Sequence, residues 1–282
     1  FPDGNAVPAG DDDFMVEEAR KMYHKISPET GEFIDFMIEH ELMDLKNKPG
    51  KAATGYMTFL PDYRAPFVFS NFNQTIFDMQ VLTHELGHAF AVYMAMREQP
   101  ITEIHSMSME QFSYPYAEAF FGKYADKFRF AHLQEAITFV PFGVAVDEFQ
   151  HICYANPELT PKERTAEWKK LEEKYMPWRK YDVDDFFDRG GFWYHKLHIY
   201  LYPFYYINYT LTTMGAMEFK KKNYENHETA WQDYLNLCKC GGSMSYLETL
   251  RYANLSNPFE PGSVARAMEV AKQELMNSPF MR

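Results

Sequence analysis

Apolar positions recur along most of this chain at three- and four-residue steps, the pattern of helices that bury one face. The period predicts helices over residues 12–26, 29–46, 76–98, 104–129, 133–155, 161–175, 192–218, 226–239, 244–253 and 262–276. Start signals support several of them. "TPKE" at residues 160–163 combines an N-cap threonine, a proline at the first helical position and a capping-box glutamate, and "SPET" from Ser27 and "SYLE" from Ser245 are similar. Pro115, Pro141 and Pro203 fall inside predicted stretches, where the ring removes a backbone donor and clashes one turn back, so each is expected to kink or interrupt its helix. One region departs from the period. "GYMTFL" and "APFVFSN" are aromatic and β-branched around "PDYR", which predicts a hairpin just before the 76–98 helix. With no internal repeat, low-complexity tract or linker, residues 1–282 read as a single, mainly α domain carrying a small β-hairpin or sheet.

Composition bounds the partners. Of 282 residues 46% are hydrophobic and 17% aromatic, ample for a core, and the formal charge of −12 argues against nucleic acid and gives no attraction to anionic lipid. No run of about twenty apolar residues occurs, and the first residues lack the basic and apolar segments of a secretion signal, so a soluble protein without a membrane partner is expected. The three cysteines are an odd number, and Cys238 and Cys240 stand too close in sequence for an ordinary bridge. Reduced thiols and a cytoplasmic location follow as expectations. The chain opens on Phe1 rather than Met, so it is expected to be part of something longer.

The candidate chemistry lies in "VLTHELGHAF", residues 81–90. His84 and His88 are four apart, which stacks two imidazoles on one helical face where they can grip one metal ion, and Glu85 between them is suited to act as a general base on a metal-activated water. Two histidines satisfied inside a helical core are the alternative. It is weakened by the apolar helix around them, where imidazoles and a carboxylate need partners. A catalytic zinc site takes a third protein ligand and leaves a position for water. Nothing within two turns after His88 offers one, but "TEIHSMSMEQF" supplies Glu103 and Glu110, seven residues and thus two turns apart on one face. One can bind metal while the other orients an imidazole.

"HELGHAF" followed by "EIHSMSME" resembles the thimet oligopeptidase and oligoendopeptidase F family of zinc metallopeptidases. The resemblance extends over nearly the whole chain, through "GYMTFLPDYRAPFVFSNFNQT", "GGFWYHKLHIYLYPFYYINYTL" and "LCKCGGSMSYLETLRYANLSNPFEPG". It implies a zincin-like, gluzincin-type helical catalytic domain, one zinc ion per chain, and a metalloendopeptidase acting on short peptides. Carried over, Glu103 becomes the third metal ligand beside His84 and His88, with Glu110 the supporting carboxylate. The resemblance also implies a long helical N-terminal half, which is expected to be missing from residues 1–282. A second segment, "HIYLYPFYYINY", sets His198, Tyr202, Tyr205, Tyr206 and Tyr209 at helical steps. The family uses a histidine and tyrosines as hydrogen-bond donors to the oxyanion, which implies His198, Tyr206 and Tyr209 for that work, Tyr209 foremost and Tyr205 interchangeable with Tyr206 around Pro203. On the residues alone, such a stripe is also a core with hydroxyls at its edge.

Three further expectations are open to the structure. "FVFSNFN" is either an edge strand that pairs with substrate backbone or a buried hairpin strand. His105 reads as supporting or structural, its nearness to Glu103 making joint ligation awkward. A helical binding module with a merely stabilising metal site is the competing function, disfavoured because structural zinc sites fill four positions with cysteine and histidine.

Overall fold

A computed structural model describes residues 1, 4–95, 103–181, 185–240 and 243–281, the side chains of Ala95 and Glu103 excepted. Helices dominate. The chain begins with α1 (Asp12–Ile26) and α2 (Pro28–Glu39), continues through β1 (Met43–Lys46), β2 (Tyr56–Leu60) and β3 (Ala65–Phe72), and enters α3 (Phe77–Ala95) and α4 (Glu103–Ser113). A 3₁₀ turn at Tyr114–Tyr116, the short α5 (Ala117–Phe121) and a second turn at Gly122–Tyr124 lead into the long α6 (Ala125–Ala155). Then come α7 (Pro161–Tyr175), α8 (Asp185–Asp188), a 3₁₀ turn at Gly191–His195, α9 (Leu197–Leu201), α10 (Ile207–Glu225), α11 (His227–Cys240), α12 (Tyr246–Tyr252) and α13 (Ser263–Asn277). The chain forms two compact units, one of Phe1–Leu133 with Met214–Arg282 and the other of Gln134–Thr213.

In the first unit the sheet runs β1-β3-β2, with β3 parallel to β1 and antiparallel to β2. The predicted hairpin is therefore present, pairing Tyr56 with Phe69 and Leu60 with Ala65. β3 is its central strand, so of the two expectations for "FVFSNFN" the buried hairpin strand holds and the substrate-pairing edge strand does not: its backbone groups are used on both sides. After β3 the Asp78 carboxylate gathers the backbone N–H groups of Asn73, Gln74 and Thr75, with Gln74 accepting a left-handed φ of 62°. That tight turn aims α3 back across the sheet. Aromatic side chains fill the space beneath, Phe33 of α2 meeting Phe90 of α3 edge-on at 5.4 Å and Phe112 of α4 meeting Trp231 of α11 at 5.2 Å. Each such side chain, fully buried, contributes about 1.5–3 kcal/mol of transfer free energy.

The second unit packs Phe142, Phe149, Trp168, Trp193 and Tyr206 into one core. Phe149 touches both tryptophan rings, at 5.4 Å and 4.9 Å between centroids.

Several predicted boundaries move for local reasons. The stretch 29–46 is helical only to Glu39, after which Glu41 turns left-handed at φ 53° and residues 43–46 pair with β3. Pro115 and Gly122 divide the predicted 104–129 helix, while Pro141 does not interrupt α6, whose neighbouring Val140 and Phe142 are both packed in the interior. Pro203 breaks the predicted 192–218 helix: Phe204 adopts a φ of 61°, and its N–H donates at 2.8 Å to the side-chain carbonyl of buried Gln150.

Candidate active site

On α3 the four-residue spacing brings the His84 and His88 rings together, edge-to-face with centroids 4.9 Å apart. Glu85 follows His84 and is 7% exposed, and His88 is equally buried at 8%. A methyl group on Gly55, just before β2, would stand 3.6 Å from Glu85 Oε1 and 2.9 Å from Val81. The chain entering β2 thus runs past the carboxylate. A groove of about 300 Å³ opens at the same place, lined by Thr54, Gly55, Asn71, Asn73, Phe77 and Val81.

The helix that follows crosses α3 closely. At Gly87 a Cβ would lie 2.7 Å from the Cα of Ser106 and 2.8 Å from the Cβ of Met109. Only a residue without a side chain allows that approach, and it puts Glu110 of α4 within reach of α3. His84 Nδ1–H donates to Glu110 Oε1 at 2.5 Å. The other oxygen, Oε2, lies 2.6 Å from His132 Nε2 on α6. Burial alone would raise the carboxyl's pKa, but the hydrogen bonds and charges of His132 and His84 outweigh it and leave Glu110 below the usual carboxylate range. Glu110 is therefore an anion held between two imidazoles.

A ring that donates from Nδ1 carries its lone pair on Nε2, the form in which imidazole ligates a metal. The donor chemistry of His84 and His88 therefore fits a divalent cation. The proposed third ligand, Glu103, begins α4, but its side chain lies outside the described residues. Among the described residues no set of three or more His, Cys, Asp or Glu side chains is gathered around one point for a metal. His105, 3% exposed, faces α11 instead: its Nε2 lies 3.4 Å from the Leu237 carbonyl, and the Tyr234 hydroxyl donates to its own carbonyl at 3.0 Å.

The tyrosine stripe belongs to the second unit. His198 Nε2 and the Tyr209 hydroxyl are 3.4 Å apart, and the His198 ring meets Tyr206 edge-on at 5.1 Å. Tyr206 is a core residue, 6% exposed, and burial pushes its phenol well above the usual tyrosine range, so it stays protonated. Tyr205 is less buried and stacks parallel to His198 at 6.3 Å. Sequence reasoning missed His132. Its only signal is a polar ring in "FAHLQEAI", and nothing there points to a carboxylate 22 residues earlier across two helix breaks.

No match was found among curated proteins. Among solved structures, PZ peptidase A bound to an inhibitor is 49% identical over 100% of this chain and 52% of its own, with a TM-score of 0.95. A candidate oligoendopeptidase F is 50% identical over 99% of this chain and 51% of its own, at a TM-score of 0.93. A second candidate oligoendopeptidase F, from Bacillus anthracis str. Ames, is 43% identical over 100% of this chain and 49% of its own, at 0.87. The chain thus spans about half the length of the structures it matches. Residues 17–269 match peptidase family M3, and with the helical fold and the histidine pair of α3 the chain belongs to that family.

Proposed function

We propose that this chain carries the catalytic centre of a zinc-dependent metalloendopeptidase that hydrolyses internal bonds of short peptides. The observation that carries the reading is the α3 constellation: two adjacent imidazoles, one fixed through Nδ1 by a buried carboxylate, with Glu85 between them in sequence. His84, His88 and Glu103 would hold one zinc ion, with Glu103 assigned by the family resemblance. Zinc, when bound, supplies Lewis acidity and lowers the pKa of a coordinated water to about 7.

Glu85 is the proton carrier in this reading. It accepts a proton from the attacking water and returns it to the departing amine nitrogen. Its low exposure keeps bulk water from competing for the carboxylate. The family resemblance gives the oxyanion-donor roles to His198, Tyr206 and Tyr209; in the second unit the His198–Tyr209 approach suits a ring and a phenol that orient one another, whereas Tyr206, packed in the core, suits the support of both. Peptide backbone is accommodated beside Glu85 along β2, an edge strand whose Tyr56 is 44% exposed. The restriction to short peptides, like the activity of the whole protein, is part of the proposal. Among the described residues no helix is long and apolar enough to cross a membrane, and Cys153, Cys238 and Cys240 are unbridged, which fits the cytoplasm as the proposed location.

The test is an internally quenched peptide with both ends blocked, which exopeptidases cannot open. Turnover by the parent protein and its loss by about 10²–10⁴-fold in Glu85→Gln, with metal content unchanged, is the expected result. Unchanged turnover in that variant refutes the assigned base.

A further inference from the structure

The carboxylate that fixes His84 is itself fixed from behind. Glu110 Oε2 is 2.6 Å from His132 Nε2, and the Tyr114 hydroxyl is 2.7 Å from His132 Nδ1. All three are interior: Tyr114 is 1% exposed, and Glu110 and His132 are each 6% exposed. The His132 ring has no latitude to swing. It stacks on Phe128 at 5.6 Å, with 12° between the planes, and lies against Tyr114 at 5.4 Å. Above the Tyr114 ring sits the Lys220 ammonium, 3.5 Å from its centroid, which draws electron density from the phenol and strengthens its O–H as a donor.

Protons in this chain can be placed by elimination. A buried phenol donates its proton, so the Tyr114 O–H points at His132 Nδ1 and makes that nitrogen the acceptor. The proton of neutral His132 must then be on Nε2, donated to Glu110 Oε2. Glu110, an acceptor at both oxygens, takes the second proton from His84 Nδ1. The hydroxyl thus sets the tautomer of His132, whose Nε2–H anchors Glu110 at Oε2, and the anchored carboxylate in turn sets the tautomer and orientation of His84, which presents Nε2 for ligation. A water in place of His132 could turn over and let Glu110 rotate; a clamped ring cannot.

We propose that His132, set by Tyr114, is a positioning residue of the metal centre, acting through Glu110 to hold the His84 imidazole in its ligating tautomer and orientation. The inference rests on the reading of His84 as a metal ligand. Neither residue would touch metal or substrate.

The experiment uses the whole protein and reads metal affinity, by zinc competition against a chromophoric chelator, and the visible spectrum of the cobalt-loaded protein, alongside melting of the metal-free forms. His132→Phe is expected to bind zinc about 10–100-fold more weakly and to shift the cobalt bands, as is usual when a ligand's supporting partner is lost. His132→Gln, whose amide can accept from Tyr114 and donate to Glu110, is expected to recover most of the affinity. Tyr114→Phe keeps the ring and removes the donor, so it decides the question by the same titration if His132→Phe fails to fold, with a several-fold loss expected. Affinity and cobalt spectrum unchanged in folded His132→Phe, or in Tyr114→Phe should the former not fold, overturn the inference while leaving the metal reading intact. A parent protein that binds no zinc, or a His84→Ala variant that binds it as tightly, instead sinks the metal reading and this inference with it.

Discussion

Lys220 shows how far burial can reshape a single residue. It is 1% exposed on α10, donates at 2.8 Å to the Tyr224 hydroxyl and lies 3.4 Å from Glu274. Burial disfavours its charged form more than Glu274 restores it, and the ammonium is pulled down to about 8. The unfolded lysine, near 10.5, still binds a proton between those values while the folded one has released it. Stability therefore rises as pH climbs from about 8 to 10.5, and below 8 the full penalty stands. Urea denaturation at pH 7.5 and 10 is expected to show the parent gaining on Lys220→Met by roughly 1–3 kcal/mol over the interval; a difference that does not change with pH contradicts the assignment. Residue spacing made the pairing of the His84 and His88 rings legible, and the two-turn interval from Glu103 put Glu110 on a face that could meet an imidazole. The clamp of His132 and Tyr114 behind it was not, because it joins α6 to the turn after α4 by contacts with no sequence period.

Elements were legible where local signals suffice. Both ends of α1 and α7 fall where their caps and periods put them, the latter closed at its start by the reciprocal Thr160 and Glu163 hydrogen bonds. They were not where the deciding partner is distant: "MDLK" carries no local mark of a strand and becomes β1 through pairing with β3, some 25 residues on. Helix contacts are equally non-local. Gly87 reads as a weak point in α3 by propensity, yet it is the spot where α4 approaches to within 2.7 Å of a would-be Cβ. Gly87→Ala gains helix propensity and still is expected to destabilise the fold by about 1–3 kcal/mol, because α3 and α4 must separate. That same separation lengthens the His84–Glu110 hydrogen bond, so metal affinity should fall with the melting temperature. A variant as stable as the parent, with undiminished affinity, would show that the crossing tolerates a methyl group.

For the whole molecule, membership of peptidase family M3 follows from the match over residues 17–269, and solved structures of about twice the length share its fold at TM-scores up to 0.95. The mainly helical architecture with a small sheet ahead of α3 was legible from period and turn chemistry alone. The division into two compact units was not, since α6 and α10 each run without a break from one unit into the other and leave no linker in the sequence. The acidic balance of −12 sets no limit on a divalent cation. The central claim is that His84 and His88 hold one such ion between them. Equilibrium dialysis against zinc, with metal counted per chain in the parent and in the His84→Ala, His88→Ala double variant, tests it most directly. One zinc per parent chain and none in the folded double variant is the predicted result; a double variant that keeps its zinc at the parent's affinity would contradict the account.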